Sequence, residues 1–321
     1  MMREAALQVY EKVSGNKQET SALLTNCPLC ASAHLQDHFT AVDPHYGISG
    51  SHRFVRCVAC SLVFLNPMYS EQTLASLYPT DYYAYQDHFN TQPLKQVVKA
   101  ILGYRNSTKD PHFASPGSFL DIGCGSGWFA QTMSQQGWNC WGVEISDAAA
   151  RLGQSRGLRI FRGTLQEAKF ESDFFDYVRS NHSFEHISSP HETLDEIYRI
   201  LNRHGKLMIA VPNVDSFAAR VFQEYWWHLA APVHPFSYSV RTLSQLLSMH
   251  GFIVERVTFN SDYFGLVGSL QIWLNRNKQK KSMDGIVVNN QLLRFVSQWI
   301  VNMADLAHLG DMIEITAAKS K

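Results

Sequence analysis

The stretch Phe119–Phe129, FLDIGCGSGWF, decides how the chain is read. A short apolar run ends at Asp121, glycines follow at Gly123, Gly125 and Gly127, and a helical pattern then begins. This order predicts a buried parallel strand that runs through a tight turn into a helix. Glycine permits positive φ and lets a ligand approach where a Cβ would intrude. The opening helix turn presents unpaired N–H groups and the positive end of its dipole. A dinucleotide site wants G-x-G-x-x-G/A, whose third small residue lets helix and strand pack closely. Here the glycines alternate as G-x-G-x-G and Trp128 stands at that third place, which disfavours NAD and FAD.

Strands and helices alternate on either side of this turn, the pattern of βα units and a parallel sheet. Strands are expected at Phe119–Ile122, Cys140–Ile145, Arg159–Arg162 and Phe174–Arg179. Leu194, Ile197, Tyr198 and Leu201 then recur at helical spacing, with Gly205 read as the cap and Lys206–Val211 as strand five. A helix around Leu243, Leu246 and Leu247 leads to strand Phe252–Phe259, and Met312–Ala317 supplies the last strand. Glu144 ends the second strand, 23 residues after Asp121. That is where a ribose-binding acid belongs in nucleoside-binding α/β folds.

Upstream, Cys27-Pro-Leu-Cys30 and Cys57-Val-Ala-Cys60 form two C-x-x-C knuckles separated by 26 residues. Two knuckles complete a tetrahedral four-thiolate site, which is closed to water and therefore structural. The two remaining cysteines, Cys124 and Cys140, stand singly, so the six are a metal pattern and not a disulfide framework. The chain divides into a polar lead-in (1–20), a zinc ribbon (21–66), a helical linker (67–116) carrying Tyr82, Tyr83 and Tyr85, and a main domain (117–321). Insertions fall at about 213–238 and 261–310.

Lys+Arg and Asp+Glu are equal at 28 each, and the pI is about 7.2. No basic footprint points to nucleic acid. The N-terminus lacks a signal-peptide core and no run approaches a membrane span, so a cytoplasmic protein is expected.

From Ser118 to Val211 the ordered motifs FLDIGCGSG, GVEIS, GTLQEA, FDYV, HSFEHI and LNRHGKLMIAVPN resemble a class I S-adenosylmethionine (SAM)-dependent methyltransferase. The resemblance covers 118–259 and resumes at 311–318. The segment CPLC…RCVACSLVFLNP…LASLYPTDYY is similar to the zinc-ribbon lead of a bacterial subset acting on sugars, sugar nucleotides or other small molecules. It implies a doubly wound, mostly parallel, seven-stranded Rossmann-like α/β sheet. It also implies that Asp121, Gly123, Cys124 and Gly125 cradle the methionine part of SAM, and that Glu144 holds the ribose beside Ile145. Thr164 and Leu165 would border the adenine, and Asn181 and His182 would lie near the sulfonium.

An acceptor hydroxyl or sugar carbon must lose a proton, best to a base with pKa near 7. His186 and His234 are the favoured candidates, with His182, Glu185 and His228 as others. His182-Ser-Phe-Glu185-His186 also spells H-x-x-E-H, but its place after a strand argues against the helical protease site that motif needs. The segment Tyr225–Ser237 resembles a substrate-binding insert. In 261–310, the stripe Leu292, Phe295, Val296, Trp299, Met303 and Leu306 is read as helix packing on the core, ahead of a membrane-surface contact for a lipid-linked glycan. A macromolecule methyltransferase acting on RNA or protein, and a non-catalytic SAM-binding protein, are the rival readings.

Overall fold

The computed structural model describes residues 3–6, 21–77, 111–278 and 281–320. The expectations for Tyr82, Tyr83 and Tyr85, and for nearly all of the lead-in, lie outside the described residues. The cysteine-rich region contributes β1 (Ser21–Ala22), β2 (Leu35–Ala41), β3 (His52–Cys57), β4 (Val63–Leu65) and β5 (Met68–Tyr69). β2, β3 and β4 pair antiparallel; Cys57–Cys60 lies at the β3–β4 turn, and Cys27–Cys30 precedes β2, whose Leu35 pairs with Cys57. A short helix, α1 (Glu71–Ser76), follows, its first turn capped by the Ser70 side chain.

The main sheet is built from β6 (Ser118–Ile122), β7 (Asn139–Glu144), β8 (Ile160–Arg162), β9 (Phe175–Asn181) and β10 (Leu201–Pro212). After a two-residue strand, β11 (Phe236–Ser237), it is completed by β12 (Phe252–Phe259) and β13 (Met312–Lys319). Its seven strands lie in the order β12-β13-β10-β9-β6-β7-β8, and β13 runs antiparallel to both neighbours. The chain leaves β6 toward β7 and β8, then returns to β9 on the other side of β6. The crevice at the carboxyl ends of β6 and β9 is thus the switch point where α/β sheets bind ligands.

β10 corrects one expectation. The helix Pro190–Ile200 ends at an extended Leu201, and Gly205 lies inside the strand, not at a helix cap. The pairing of β10 with β9 shifts register between Leu201 and Lys206. A Cβ at Gly205 would stand 2.7 Å from the Leu201 side chain and 3.0 Å from the Phe175 carbonyl oxygen. The glycine therefore serves an irregularity in the strand where two backbones approach.

The ribbon is welded to the main domain. β11, from the insertion after β10, pairs antiparallel with β4 and makes the ribbon sheet four-stranded. Leu29, Val55, Phe64 and Met68 share one continuous core with Leu120, Val178, Leu194 and Ile209. Beneath it runs a buried polar chain. His191 Nε2 lies 2.8 Å from the Pro28 carbonyl, which only accepts, so Nε2 carries the proton. Nδ1 of His191 then accepts from His250 Nε2 at 2.8 Å, and His250 Nδ1 meets Asp195 at 2.7 Å. A His191→Leu variant strands the Pro28 carbonyl and a His250 N–H, at about 1–3 kcal/mol each. Scanning calorimetry should show a melting temperature lower by roughly 10 °C; an unchanged melting point would remove this chain from the account.

The region 261–310 folds as helices Phe264–Asn275, Ile286–Asn289 and Gln291–Leu306. The first braces the earlier insertion, with Phe264 stacked on Trp227 and Ser269 Oγ accepting the Trp227 N–H at 2.8 Å. The last faces opposite to expectation. Leu292, Met303 and Leu306 are 68%, 67% and 72% exposed, whereas Ser297, Gln298 and Asp305 are buried. Asp305 accepts from Ser261 N–H at 3.0 Å and from its hydroxyl at 2.5 Å, and Gln298 donates to the Ser261 carbonyl. This hydrogen bonding draws the polar face inward. Among the described residues, no helix is long and apolar enough to cross a membrane.

Candidate functional site

All three glycines of the turn have positive φ, +68° at Gly123, +54° at Gly125 and +80° at Gly127, a path closed to most side chains. Gly123 is further constrained, since a Cβ there would stand 2.3 Å from Ser183 Cβ. Ser183 Oγ donates to the Ile122 carbonyl at 2.7 Å, fixing the loop after β9 against the turn.

Glu144 closes the other wall. Its carboxylate is 6% exposed and accepts the Gly125 N–H and the Ser146 N–H, each at 2.8 Å. Burial raises its pKa despite those bonds. A carboxylate offers about four lone-pair sites, so two remain for a pair of vicinal hydroxyls. Ile145, 50% exposed, stands beside it as an apolar rim.

Other residues singled out from the sequence are placed as follows. Asp121 is buried and pairs with Arg179 at 3.2 Å, whose guanidinium lies 3.8 Å over the Phe129 ring. Cys124 turns its side chain toward β7, so that a Cβ at Gly142 would stand 2.5 Å from its sulfur, and burial raises its thiol pKa. Thr164 is committed to a capping box with Glu167, and Leu165 is buried in the core. Asn181 ends β9 with a buried Oδ1 that has no hydrogen-bond partner among the described residues. His182 follows at φ +52°, with Nδ1 3.7 Å from Glu185 Oε1.

Arg179 was not among the residues expected to matter. Its signal was available, a cation directly after the apolar pair Tyr177-Val178 of a strand expected to be buried. Charges survive inside a sheet only when paired.

A second cluster adjoins the switch point. A turn of 3-10 helix, Phe184–His186, carries Glu185 and His186, and the insertion brings His234 onto them. The His186 and His234 rings stand edge to face at 4.4 Å. His186 Nδ1 lies 3.0 Å from the Val233 carbonyl and His234 Nδ1 lies 2.9 Å from the His228 carbonyl. Burial lowers the pKa of His186, and pushes that of His234 down to about 3. Burial opposes ionisation of Glu185, yet the three neighbouring histidines outweigh it and hold the carboxyl below its usual range. The H-x-x-E-H spelling does not bring its two histidines together as a protease site would; the grouping formed is Glu185, His186 and His234.

The four cysteines of the ribbon converge. Cys27 Sγ and Cys60 Sγ are 3.5 Å apart, as are Cys30 and Cys57, and all four sulfurs lie within 4.8 Å of one another. Sulfurs tetrahedrally bound to zinc at about 2.3 Å are separated by about 3.8 Å. The donor set and its spacing fit such an ion.

Known proteins share parts of this sequence. An uncharacterized protein of Methanocaldococcus jannaschii is 30% identical over 108 residues, 34% of this chain and 51% of that protein. A ubiquinone biosynthesis O-methyltransferase of Maricaulis maris is 29% identical over 151 residues, 42% of this chain and 59% of its own length. The chain spans about half the length of the curated relatives it matches. Among solved structures, a SAM-dependent methyltransferase of Archaeoglobus fulgidus matches with TM-score 0.45 and 20% identity, over 70% of this chain and 93% of that one. A geranyl diphosphate C-methyltransferase of Streptomyces coelicolor matches with TM-score 0.45 and 16% identity, over 75% and 90%. A family model described as a methyltransferase domain matches residues 87–257, more than half of the sequence. The chain belongs to the methyltransferase-domain family.

Proposed function

We propose that the protein transfers a methyl group from SAM to oxygen or carbon of a sugar or other small metabolite, with a pocket histidine taking the acceptor's proton. The observation that carries this reading is the Glu144 carboxylate, buried and pinned by two main-chain N–H groups beside a turn of three positive-φ glycines. SAM supplies a sulfonium-activated methyl carbon, so the chain's own work is positioning and proton removal. Glu144 holds the ribose hydroxyls, the backbone of Gly123–Gly125 admits the methionine part, and Ile145 covers one side of the adenine. Asn181 Oδ1, without a hydrogen-bond partner among the described residues, is a polar atom that a ligand would satisfy.

As the new bond to the methyl carbon forms, the acceptor's proton passes to a base and the S–CH3 electron pair stays on sulfur. His186 and His234, with pKa values lowered by burial, are weak bases near neutral pH. His182, half-exposed and backed by the buried Glu185 carboxylate, is better placed for that step. The zero net charge supports a small acceptor over nucleic acid. The relative named for ubiquinone biosynthesis O-methylation supports a small oxygen acceptor. The four cysteines hold a structural Zn2+ with no open position for substrate.

Incubating the protein with methyl-labelled SAM and a metabolite extract, then profiling by mass spectrometry, should give a labelled small molecule and S-adenosylhomocysteine. Labelled RNA or protein would redirect the acceptor class. Cofactor binding without any labelled product would overturn catalysis.

A further inference from the structure

We propose that Glu185, His186 and His234 form a second, open metal site that binds a divalent transition ion beside the cofactor crevice. One ligand atom from each lies within 4.8 Å of the others, close to the span of donors around a single ion. The histidine tautomers are fixed by chemistry. A carbonyl only accepts, so the Val233 and His228 carbonyls place the proton on Nδ1 of His186 and His234. Nε2 is left as the lone-pair nitrogen on each ring. This is how histidine ligands are oriented from behind at metal centres.

Two buried atoms point the same way. Glu185 Oε2 has no hydrogen-bond partner among the described residues, although the side chain is only 3% exposed. An ionised oxygen so placed is costly unless a cation meets it. His228, whose carbonyl orients His234, likewise has a buried Nε2 with no hydrogen-bond partner among the described residues, the Asp262 carboxylate standing 4.0 Å away. Two imidazoles and one carboxylate suit Mn2+, Fe2+, Co2+ or Zn2+, and leave coordination positions open, unlike the four cysteines.

The placement gives the site a use. Glu185 and His186 follow Asn181 and His182 at the carboxyl edge of β9, and Ser183 between them touches the glycine turn. An ion there would take an acceptor that offers two neighbouring oxygens, such as a vicinal diol or hydroxyketone. It would also lower the pKa of the oxygen to be methylated. This choice of acceptor rests on the methyl-transfer reading, whereas binding of the ion does not.

Mn2+ is the appropriate probe, because it prefers oxygen and nitrogen donors and leaves a four-thiolate site to zinc. The zinc-loaded protein is titrated with Mn2+ while the free-ion paramagnetic resonance signal is followed. One Mn2+ per chain is expected, with affinity reduced roughly 10- to 100-fold or more in both Glu185→Gln and His234→Ala. Glu185→Gln keeps size and shape, so it remains informative if His234→Ala folds poorly. SAM titration of each variant checks that the cofactor half is intact. No bound Mn2+ in the wild type, or equal binding in the variants, overturns the site and leaves methyl transfer standing. Bound Mn2+ with a methylated product lacking paired oxygens keeps the ion and overturns the chelated acceptor.

Discussion

Replacing Glu144 with alanine lowers affinity for SAM by at least about 100-fold. Two charge-assisted hydrogen bonds to ribose hydroxyls, at about 1.5–3 kcal/mol each, set that scale, since 1.4 kcal/mol is tenfold. The alanine also strands the Gly125 and Ser146 N–H groups that the carboxylate now accepts at 2.8 Å, so the turn loosens as well. Glu144→Gln separates the two effects. It retains one oxygen acceptor, so it should hold the turn better and bind with intermediate affinity. Calorimetric titration reads both variants, and an unchanged dissociation constant in Glu144→Ala would remove the ribose assignment.

The second large effect is expected at the ribbon. Cys57→Ser breaks the four-sulfur cluster proposed to hold zinc, and such sites are worth about 10–16 kcal/mol of folding energy in small metal domains. That is comparable to the whole stability of an ordinary domain. The damage should not stop at the ribbon. β4 pairs with β11, and the Leu65 N–H donates to the Pro235 carbonyl at 2.9 Å, so melting the ribbon releases the segment that carries His228 and His234. Glu144 and the glycine turn follow β7 and β6, neither of which pairs with a ribbon strand. The variant is therefore expected to lose its bound zinc and any methylated product while SAM still binds. Measured together, metal content, product formation and SAM affinity should split in that way. A zinc-free variant with unaltered melting and full product formation would sink the structural role.

Much of the fold was legible in the sequence because parallel strands and their helices carry their own periodicity. The segment FLDIGCGSGWF gave the turn, and the interval from Asp121 to Glu144 gave the second strand's acid. What was not legible is tertiary in origin. A glycine after an apolar helical face reads as a cap, and only the pairing of β10 with β9 shows that Gly205 belongs to a strand. An amphipathic stripe tells that a helix has two faces without saying which one turns inward. In Gln291–Leu306 the Asp305–Ser261 hydrogen bonds make that choice. The grouping of Glu185 and His186 with His234 depends on an insertion folding back across the sheet edge. Glu185 and His186 are adjacent in the H-x-x-E-H motif, but His234 lies 48 residues further on, so the sequence does not show that the three meet.

The most direct test of the central claim is a crystal structure of the protein grown with S-adenosylhomocysteine. Density for the ligand is expected over Gly123–Gly125 at the carboxyl ends of β6 and β7, with both ribose hydroxyls on the Glu144 carboxylate. Ligand bound elsewhere, or a crevice that stays closed at saturating ligand, would contradict it.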